Sequence, residues 1–336
     1  MILLFAAFLA ALAVTWSITP IIVKLALKCG AVAVPRDRDV HESPTPRWGG
    51  IAIYLGVIAA VALTVTLRHI QTGGKYGWNI HIIGILIAGT LIGLLGMLDD
   101  IKDLSAKWQI LAILAAGVLL VAFGVRIEGL TNPFVMQKPG SAYNPSGWIE
   151  LSLPISIIST LFWVFLVTKT VDAIDGLDGL AAGVCAISAA TLALLAAVSR
   201  QPDGPTLALL AAAIVGACVG FLRHNYNPAK IFMSTVGAQF LGLTLAALSI
   251  LGTYKIAAAF SVLVPVLVLG VPIFDYFIVL TKRALSKAPL TAADRRHLHH
   301  RLLDRGLSKQ QAVWVIYGCT AILCVAAIAI LKVSHQ

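Results

Sequence analysis

Aspartates recur in two short stretches whose spacing suits a hard cation and phosphate. The segment MLDDIKDLSAKW carries Asp99, Asp100 and Asp103 in a D-D-x-x-D pattern, with Lys107 one turn further on. On a helix, positions 99 and 103 share a face and 100 lies beside them. Carboxylates grouped this way suit Mg²⁺, with Mn²⁺ as an alternative, because such ions take oxygen ligands and bridge to substrate phosphates. The segment KTVDAIDGLDGLAAG places Asp172, Asp175 and Asp178 at three-residue intervals, and Gly176 and Gly179 let a backbone or a flat ligand come close. Like charges this near raise one another's pKa unless cations share the site. Lys169 is one candidate cation and a bound metal is another.

Three further stretches carry phosphate-type chemistry. PRDRDVHESPTPRWGG offers Arg36, Arg38 and Arg47 to phosphates, although a basic segment of this kind also suits anionic lipid. FLRHNYNPAKIFMSTVGAQFLG combines Asn225, Asn227, Lys230 and Phe232, the last being either a core residue or a stacking platform. Near the C-terminus, His297, His299 and His300 lie among Arg283, Arg295, Arg296 and Arg301. No cysteine or suitably spaced carboxylate completes a zinc site there, so the cluster reads as a diphosphate clamp. Thr291 or Asp294 is the expected cap of the helix around it, and Gly306 its stop. The five cysteines show no metal spacing and read as small core residues.

The elements that must position these residues are apolar. The 336-residue chain is 59% hydrophobic and 12% charged, with a mean hydropathy of +0.92, against about 25% charge in soluble domains. Ten stretches approach the 17–25 residues that cross a bilayer, near 2–27, 49–67, 80–98, 108–125, 151–168, 179–198, 205–222, 236–252, 256–280 and 311–331. Backbone polar groups in hydrocarbon must pair internally, so these are helices of one bundle, an all-α polytopic membrane protein with a single integral-membrane domain over 1–336. The alternating segments of a β-barrel are lacking. The first stretch lacks a basic start and runs too long for a signal peptide, so it reads as a retained helix. The odd-numbered loops hold 18 of the 25 Lys and Arg, which predicts that they are cytoplasmic and both termini outside. The same side holds 12 of the 15 acids, several of them hard against hydrocarbon, where ionisable groups mark function. These features point to a polar cavity at the cytoplasmic membrane surface, built for a phosphorylated ligand and not for nucleic acid.

Taken together, TPRWGG, LLGMLDDIKDLSAK, DAIDGLDGLAAG, NPAKIFM and DRRHLHHRLL resemble the polyprenyl-phosphate N-acetylhexosamine-1-phosphate transferase family. Its members include undecaprenyl-phosphate GlcNAc-1-phosphate transferases and, more distantly, phospho-N-acetylmuramoyl-pentapeptide transferase; HLHHRLL favours the former branch. The resemblance implies a bacterial inner-membrane enzyme that transfers a sugar 1-phosphate, here GlcNAc 1-phosphate, from a UDP-N-acetylhexosamine to a polyprenyl phosphate, releasing UMP with Mg²⁺. It implies that Asp99 and Asp100 bind or deprotonate the lipid phosphate and that Asp175 and Asp178 lie near the nucleotide. Phe232 would sit beside the uracil, and Arg283, His297, His299 and His300 on the diphosphate side. It leaves a homodimer open, together with the sugar, the polyprenol length and the glycan served.

Two departures from the family pattern stand out. Thr235 occupies the position of a metal-binding aspartate in F-M-G-D-x-G-S, and Lys169 and Asp172 replace the asparagines of N-x-x-N-x-x-D-G. On one account Asp172 takes over the lost charge, giving a metal set of Asp100, Asp172 and Asp175. On another, Lys169 partly replaces the metal, or the chain binds a polyprenyl lipid without transferring sugar. An intramembrane aromatic prenyltransferase would also use aspartates and Mg²⁺, but gives no reason for the His/Arg cluster or NPAKIF.

Overall fold

A computed structural model describes residues 1–34, 44–75, 77–131, 148–198, 203–252, 263–286 and 297–333. Arg36, Arg38, Thr291, Asp294, Arg295 and Arg296 lie outside them. The helices are α1 (Ile2–Cys29), α2 (Gly49–Gln71), α3 (Ile80–Lys102), α4 (Ala106–Ala122), α5 (Leu153–Ile174), α6 (Leu180–Val198), α7 (Gly204–Asn225), α8 (Ser234–Leu251), α9 (Leu263–Val268), α10 (Gly270–Leu285), α11 (Leu298–Leu303) and α12 (Lys309–Val333). Two short antiparallel pairs join β1 (Val32–Ala33) to β2 (Thr45–Pro46) and β3 (Gly129–Thr131) to β4 (Trp148–Glu150). Among the described residues, 8 helices are long and apolar enough to cross a membrane: α1, α2, α3, α5, α6, α7, α8 and α12. α4 is a shorter apolar helix. The protein is an all-α, multi-pass membrane protein.

The expected span 256–280 is not one helix in its described part: it breaks at Leu269 into α9 and α10. Pro272 lacks an N–H and its ring collides with the carbonyl four residues back. That carbonyl, of Val268, accepts instead from Ser188 Oγ at 2.7 Å. A side chain from α6 thus satisfies the acceptor that the break frees, as apolar surroundings require.

α7 and α8 are the most enclosed spans. α7 packs on α1, α2 and α6, and α8 on α3, α5 and α2. α2 and α8 cross so closely that a Cβ on Gly50 would fall 2.0 Å from the Gly237 nitrogen, so the crossing needs glycine. Here α2 starts on the strand of chain entering α8: the amides of Gly49 and Gly50 donate to the carbonyls of Phe232 (2.9 Å) and Met233 (3.1 Å). Two of the amides that every helix start leaves unpaired are thereby satisfied, and the segment 232–235 is fixed against the bundle.

Three helix ends differ from the sequence reading in ways that matter. α3 runs past residue 98 to Lys102, so Asp99 and Asp100 are helical and buried, while Asp103 is an exposed C-cap with φ 45°. α5 runs past 168 to Ile174, which places Lys169 and Asp172 on its final turns. α11 begins with His297 as its N-cap, and Gly306 follows it with φ 88°.

Candidate active site

The connections α1–α2, α3–α4, α5–α6 and α7–α8 and the segment from α11 to α12 meet around one cavity of about 430 Å³. Its lining includes Arg47, Asp99, Asp100, Asp103, Asp172, Asp175, Asp178, Asn225, Phe232, Ser234, Thr235, His300 and Lys309. Segments as far apart in sequence as Ala33 and Lys309 therefore share a wall.

The acids of this wall are held in different ways. Asp99 takes Gln109 Nε2 on both oxygens (3.0 and 3.1 Å) and the Leu104 amide on Oδ1 (2.9 Å). It ties the turn after α3 to the first turn of α4. Asp178 Oδ2 accepts from Asn227 Nδ2 (2.8 Å) and the Ala229 amide (3.1 Å), which binds the α5–α6 connection to the α7–α8 connection. Asn225 strengthens that tie: its Oδ1 accepts from the Gly179 amide at 3.0 Å and its Nδ2 donates to the Ile231 carbonyl at 2.8 Å. Tyr317 of α12 donates to the Gly179 carbonyl at 2.6 Å from the other side.

Asp100 and Asp175 instead converge on the start of α8. Ser234 Oγ donates to Asp100 Oδ1 at 2.5 Å. The Thr235 amide is directed at Asp100 and the Ser234 amide at Asp175, so both carboxylates meet the positive end of a helix. Ser234 makes these contacts with φ 60°, a left-handed conformation costing about 1–2 kcal/mol for a residue with a Cβ. Asp100 Oδ2 is buried and has no hydrogen-bond partner. Asp175 is half-accessible through the cavity but enclosed by protein. That burial, with the charges of Asp172, Asp100 and Asp178 added, pushes its carboxyl up to about 8 against the pull of the Ser234 amide.

These features fit a divalent cation of the Mg²⁺ type. An orphaned, buried carboxylate oxygen and a neighbouring carboxyl crowded by negative charge both gain from a hard cation. Among the described residues no group of three or more His, Cys, Asp or Glu forms a ready-made cage. Mg²⁺ needs none, since it binds by one or two carboxylates, waters and substrate phosphates.

The basic residues sort by distance from the cavity. Arg47 lines it, with Nη1 donating to the Asp100 carbonyl at 3.2 Å and lying 3.7 Å from Asp103 Oδ1. His300 also lines it, and its ring lies 4.3 Å from that of His299. His299 sits just behind the lining, against Gly176, where an added Cβ would come within 2.6 Å of Nε2. Burial, reinforced by His300 and His297, brings the His299 ring down to about 3, so it is neutral at physiological pH. It offers a hydrogen bond rather than a charge. His297 Nδ1 meets Asp275 Oδ2 at 2.8 Å, and the Leu298 amide donates to Asp275 Oδ1 at 2.6 Å. Asp275 of α10 thus anchors the start of α11. Lys107, Lys230, Arg283, His297 and Arg301 are not in the lining; Arg283 is buried, and Lys107 and Lys230 are exposed.

Gln109, Ser234, Asp275 and Tyr317 carry this arrangement without any signal in their local sequence. Each works through a partner distant in the chain.

Comparison with known proteins identifies the family of the chain. Residues 82–253 match the model for glycosyl transferase family 4. The chain is 37% identical, over 98% of its length and 86% of the relative's, to a probable undecaprenyl-phosphate N-acetylglucosaminyl 1-phosphate transferase of Bacillus subtilis. It is 34% identical, over 95% of its length and 81% of the relative's, to the decaprenyl-phosphate N-acetylglucosaminephosphotransferase of Mycobacterium leprae. A phospho-N-acetylmuramoyl-pentapeptide-transferase of a Synechococcus species is 33% identical over 88% of this chain and 82% of its own. The matched stretch runs from α3 through α8 and so contains both aspartate motifs and the start of α8; this chain belongs to glycosyl transferase family 4.

Proposed function

We propose that the protein transfers N-acetylglucosamine 1-phosphate from UDP-N-acetylglucosamine to undecaprenyl phosphate or a related polyprenyl phosphate, releasing UMP, on the cytoplasmic face of a bacterial inner membrane. The single observation that supports this reading most is the convergence of five distant segments, bearing six aspartates, Arg47 and His300, on one cavity at the ends of apolar helices. The relatives' names supply the sugar and the lipid. The whole chain, 1–336, would act as one integral-membrane unit.

In this reading a phosphate oxygen of the lipid attacks the β-phosphorus of the UDP-sugar, and the bond to the UMP oxygen breaks. The work of the protein is positioning and charge neutralisation, as phosphoryl transfer needs little covalent help. Asp100 and Asp175 would hold Mg²⁺ (or Mn²⁺), which when bound neutralises charge on the diphosphate; the other acid expected in that set, Asp172, already has Lys169 as its partner. Asp100 would also meet the lipid phosphate, with Asp99 behind it fixing the α3–α4 turn. A phosphate monoester is largely a dianion at pH 7, its second pKa being about 6, so neither acid has to act as a strong base. Phe232 would face the uracil, with Asp178 and Asn225 fixing the backbone around it. Arg47, His300 and neutral His299 would meet the leaving diphosphate, with Arg283, His297 and Arg301 behind them and Lys107 and Lys230 at the mouth.

The test is UMP release by purified protein given undecaprenyl phosphate, a panel of UDP-sugars, and Mg²⁺ or EDTA. UMP is expected only with UDP-N-acetylglucosamine, lipid and metal together. Its absence with every UDP-sugar would overturn the reading.

A further inference from the structure

One ion pair beside the cavity has no part in the scheme above. Lys169 Nζ lies 2.5 Å from Asp172 Oδ2, three residues on in the last turns of α5. The same ammonium donates to Gln109 Oε1 at 3.2 Å, and Gln109 Nε2 in turn donates to Asp99. The amide orientation of Gln109 is fixed by these neighbours, since only its oxygen can face the ammonium and only its nitrogen the carboxylate. Asp172 belongs to the cavity lining but Lys169 does not. The ammonium therefore stands behind the wall, where it meets the acids and not a ligand phosphate. Asp172 also sits at the C-terminal end of α5, where the helix dipole disfavours a carboxylate. A cation one turn back offsets that cost.

We propose that Lys169 and Asp172 act as a neutral pair: Asp172 is the counter-ion of Lys169 and not a ligand of the divalent cation, and the pair sets how strongly Asp100 and Asp175 attract that cation. This rests on the metal-dependent reading of the site. A pair of this kind makes opposite predictions for its two members. Removing the ammonium leaves an uncompensated carboxylate facing the cavity and strengthens cation binding. Removing the carboxylate leaves an uncompensated ammonium beside Asp99, behind the wall that carries Asp100 and Asp175, and weakens it. Removing both restores the balance. A metal ligand behaves differently, because its loss weakens binding whatever stands at position 169.

The experiment is a double-variant cycle read by Mn²⁺ binding to purified, substrate-free protein, using the electron paramagnetic resonance signal of free Mn²⁺. Lys169→Met is expected to tighten binding roughly tenfold and Asp172→Asn to weaken it roughly tenfold. Lys169→Met/Asp172→Asn should return to within about threefold of wild type. The double variant removes both charges of the pair and adds no new unpaired one, so it keeps the test open if a single variant folds poorly. Binding by the double variant as weak as that of Asp172→Asn would identify Asp172 as a ligand and overturn the proposal. Weaker binding by Lys169→Met would overturn it too. Absence of Mn²⁺ binding by the wild-type protein would instead overturn the metal-dependent reading on which the pairing role rests.

Discussion

Two pairs of aspartates share the cavity and are held in opposite ways. Asp99 and Asp178 accept hydrogen bonds from Gln109, Leu104, Asn227 and Ala229; Asp99 closes the α3–α4 turn and Asp178 ties the α5–α6 connection to the α7–α8 connection. Asp100 and Asp175 meet at the first residues of α8, with one buried oxygen left unpartnered. Asp99 and Asp100 are adjacent in the chain, and Asp175 and Asp178 are three residues apart, so their sequence positions alone do not distinguish them. The difference is made by what lies opposite each carboxylate. A partnered acid has its charge satisfied by fixed donors and works as scaffold. An acid facing another acid, with spare lone pairs, remains available to a cation or a phosphate.

The largest expected effect tests that division directly. Asp100→Asn and Asp175→Asn should each lower turnover by about a thousandfold or more without loss of thermal stability, because they remove charge used in the reaction. Asp175→Asn should raise stability near pH 7, since a carboxyl pushed up to about 8 is held partly against its own ionisation. Asp99→Asn and Asp178→Asn should behave in reverse, lowering turnover by only about ten- to a hundredfold and stability by about 1–3 kcal/mol as buried donors lose their acceptor. UMP release and thermal unfolding in detergent measure both. Equal loss of turnover in all four variants, at unchanged stability, would dissolve the distinction.

A second test uses the basic side of the cavity. His299 is neutral in the folded protein down to about 3 because it is buried beside His300 and His297, whereas an unfolded histidine titrates near 6.5. Between those values the unfolded state holds a proton that the folded state does not. Stability from this group is therefore complete above about pH 6.5 and falls as pH drops towards about 3, with a slope of up to about 1.4 kcal/mol per pH unit. His299→Gln should flatten the acid limb of the unfolding-midpoint profile, whatever it does to the midpoint at neutral pH. Asp175 works the other way, losing stability as pH rises through the range up to about 8, and Asp175→Asn should flatten that limb instead. The two opposed limbs report on two groups that meet around Gly176, one a carboxyl and one an imidazole.

How much of this was legible in the sequence follows from which interactions are local. Hydropathy located eight of the ten expected spans as long apolar helices among the described residues, because a helix in lipid declares itself residue by residue. The asymmetry of charge between odd and even connections anticipated that Arg47, Asp100, Asp175, Asn225 and His300 would share one neighbourhood. The break of the ninth span at Leu269 follows from Pro272, through a steric rule that acts over four residues, although its hydropathy read as one continuous span. The sequence was silent on Ser234, whose contribution depends on a backbone angle and on Asp100, 134 residues away. It was silent on Gln109, one polar residue at the start of an apolar helix, and on Asp275, which reads as a stray acid until His297 is seen against it. It grouped the aspartates correctly but could not rank them, since composition and spacing do not tell which carboxylate meets a donor.

The smallest effect sharpens the comparison by adding to the open pair. Thr235 lines the cavity at the start of α8, beside the amides that Asp100 and Asp175 already face. A carboxylate here would sit at a helix N-terminus, a favourable place for negative charge, and would join two acids that have too few cations between them. Thr235→Asp should tighten Mn²⁺ binding by about tenfold and, without metal, lower the unfolding midpoint slightly through repulsion with Asp100 and Asp175. Addition of Mn²⁺ should reverse that loss. The same change made beside a satisfied acid, Ser105→Asp near the α3–α4 turn, should leave Mn²⁺ affinity where it was. If Thr235→Asp also leaves it unchanged, the cation does not sit between Asp100 and Asp175, and the unpartnered oxygen of Asp100 belongs to the lipid phosphate instead.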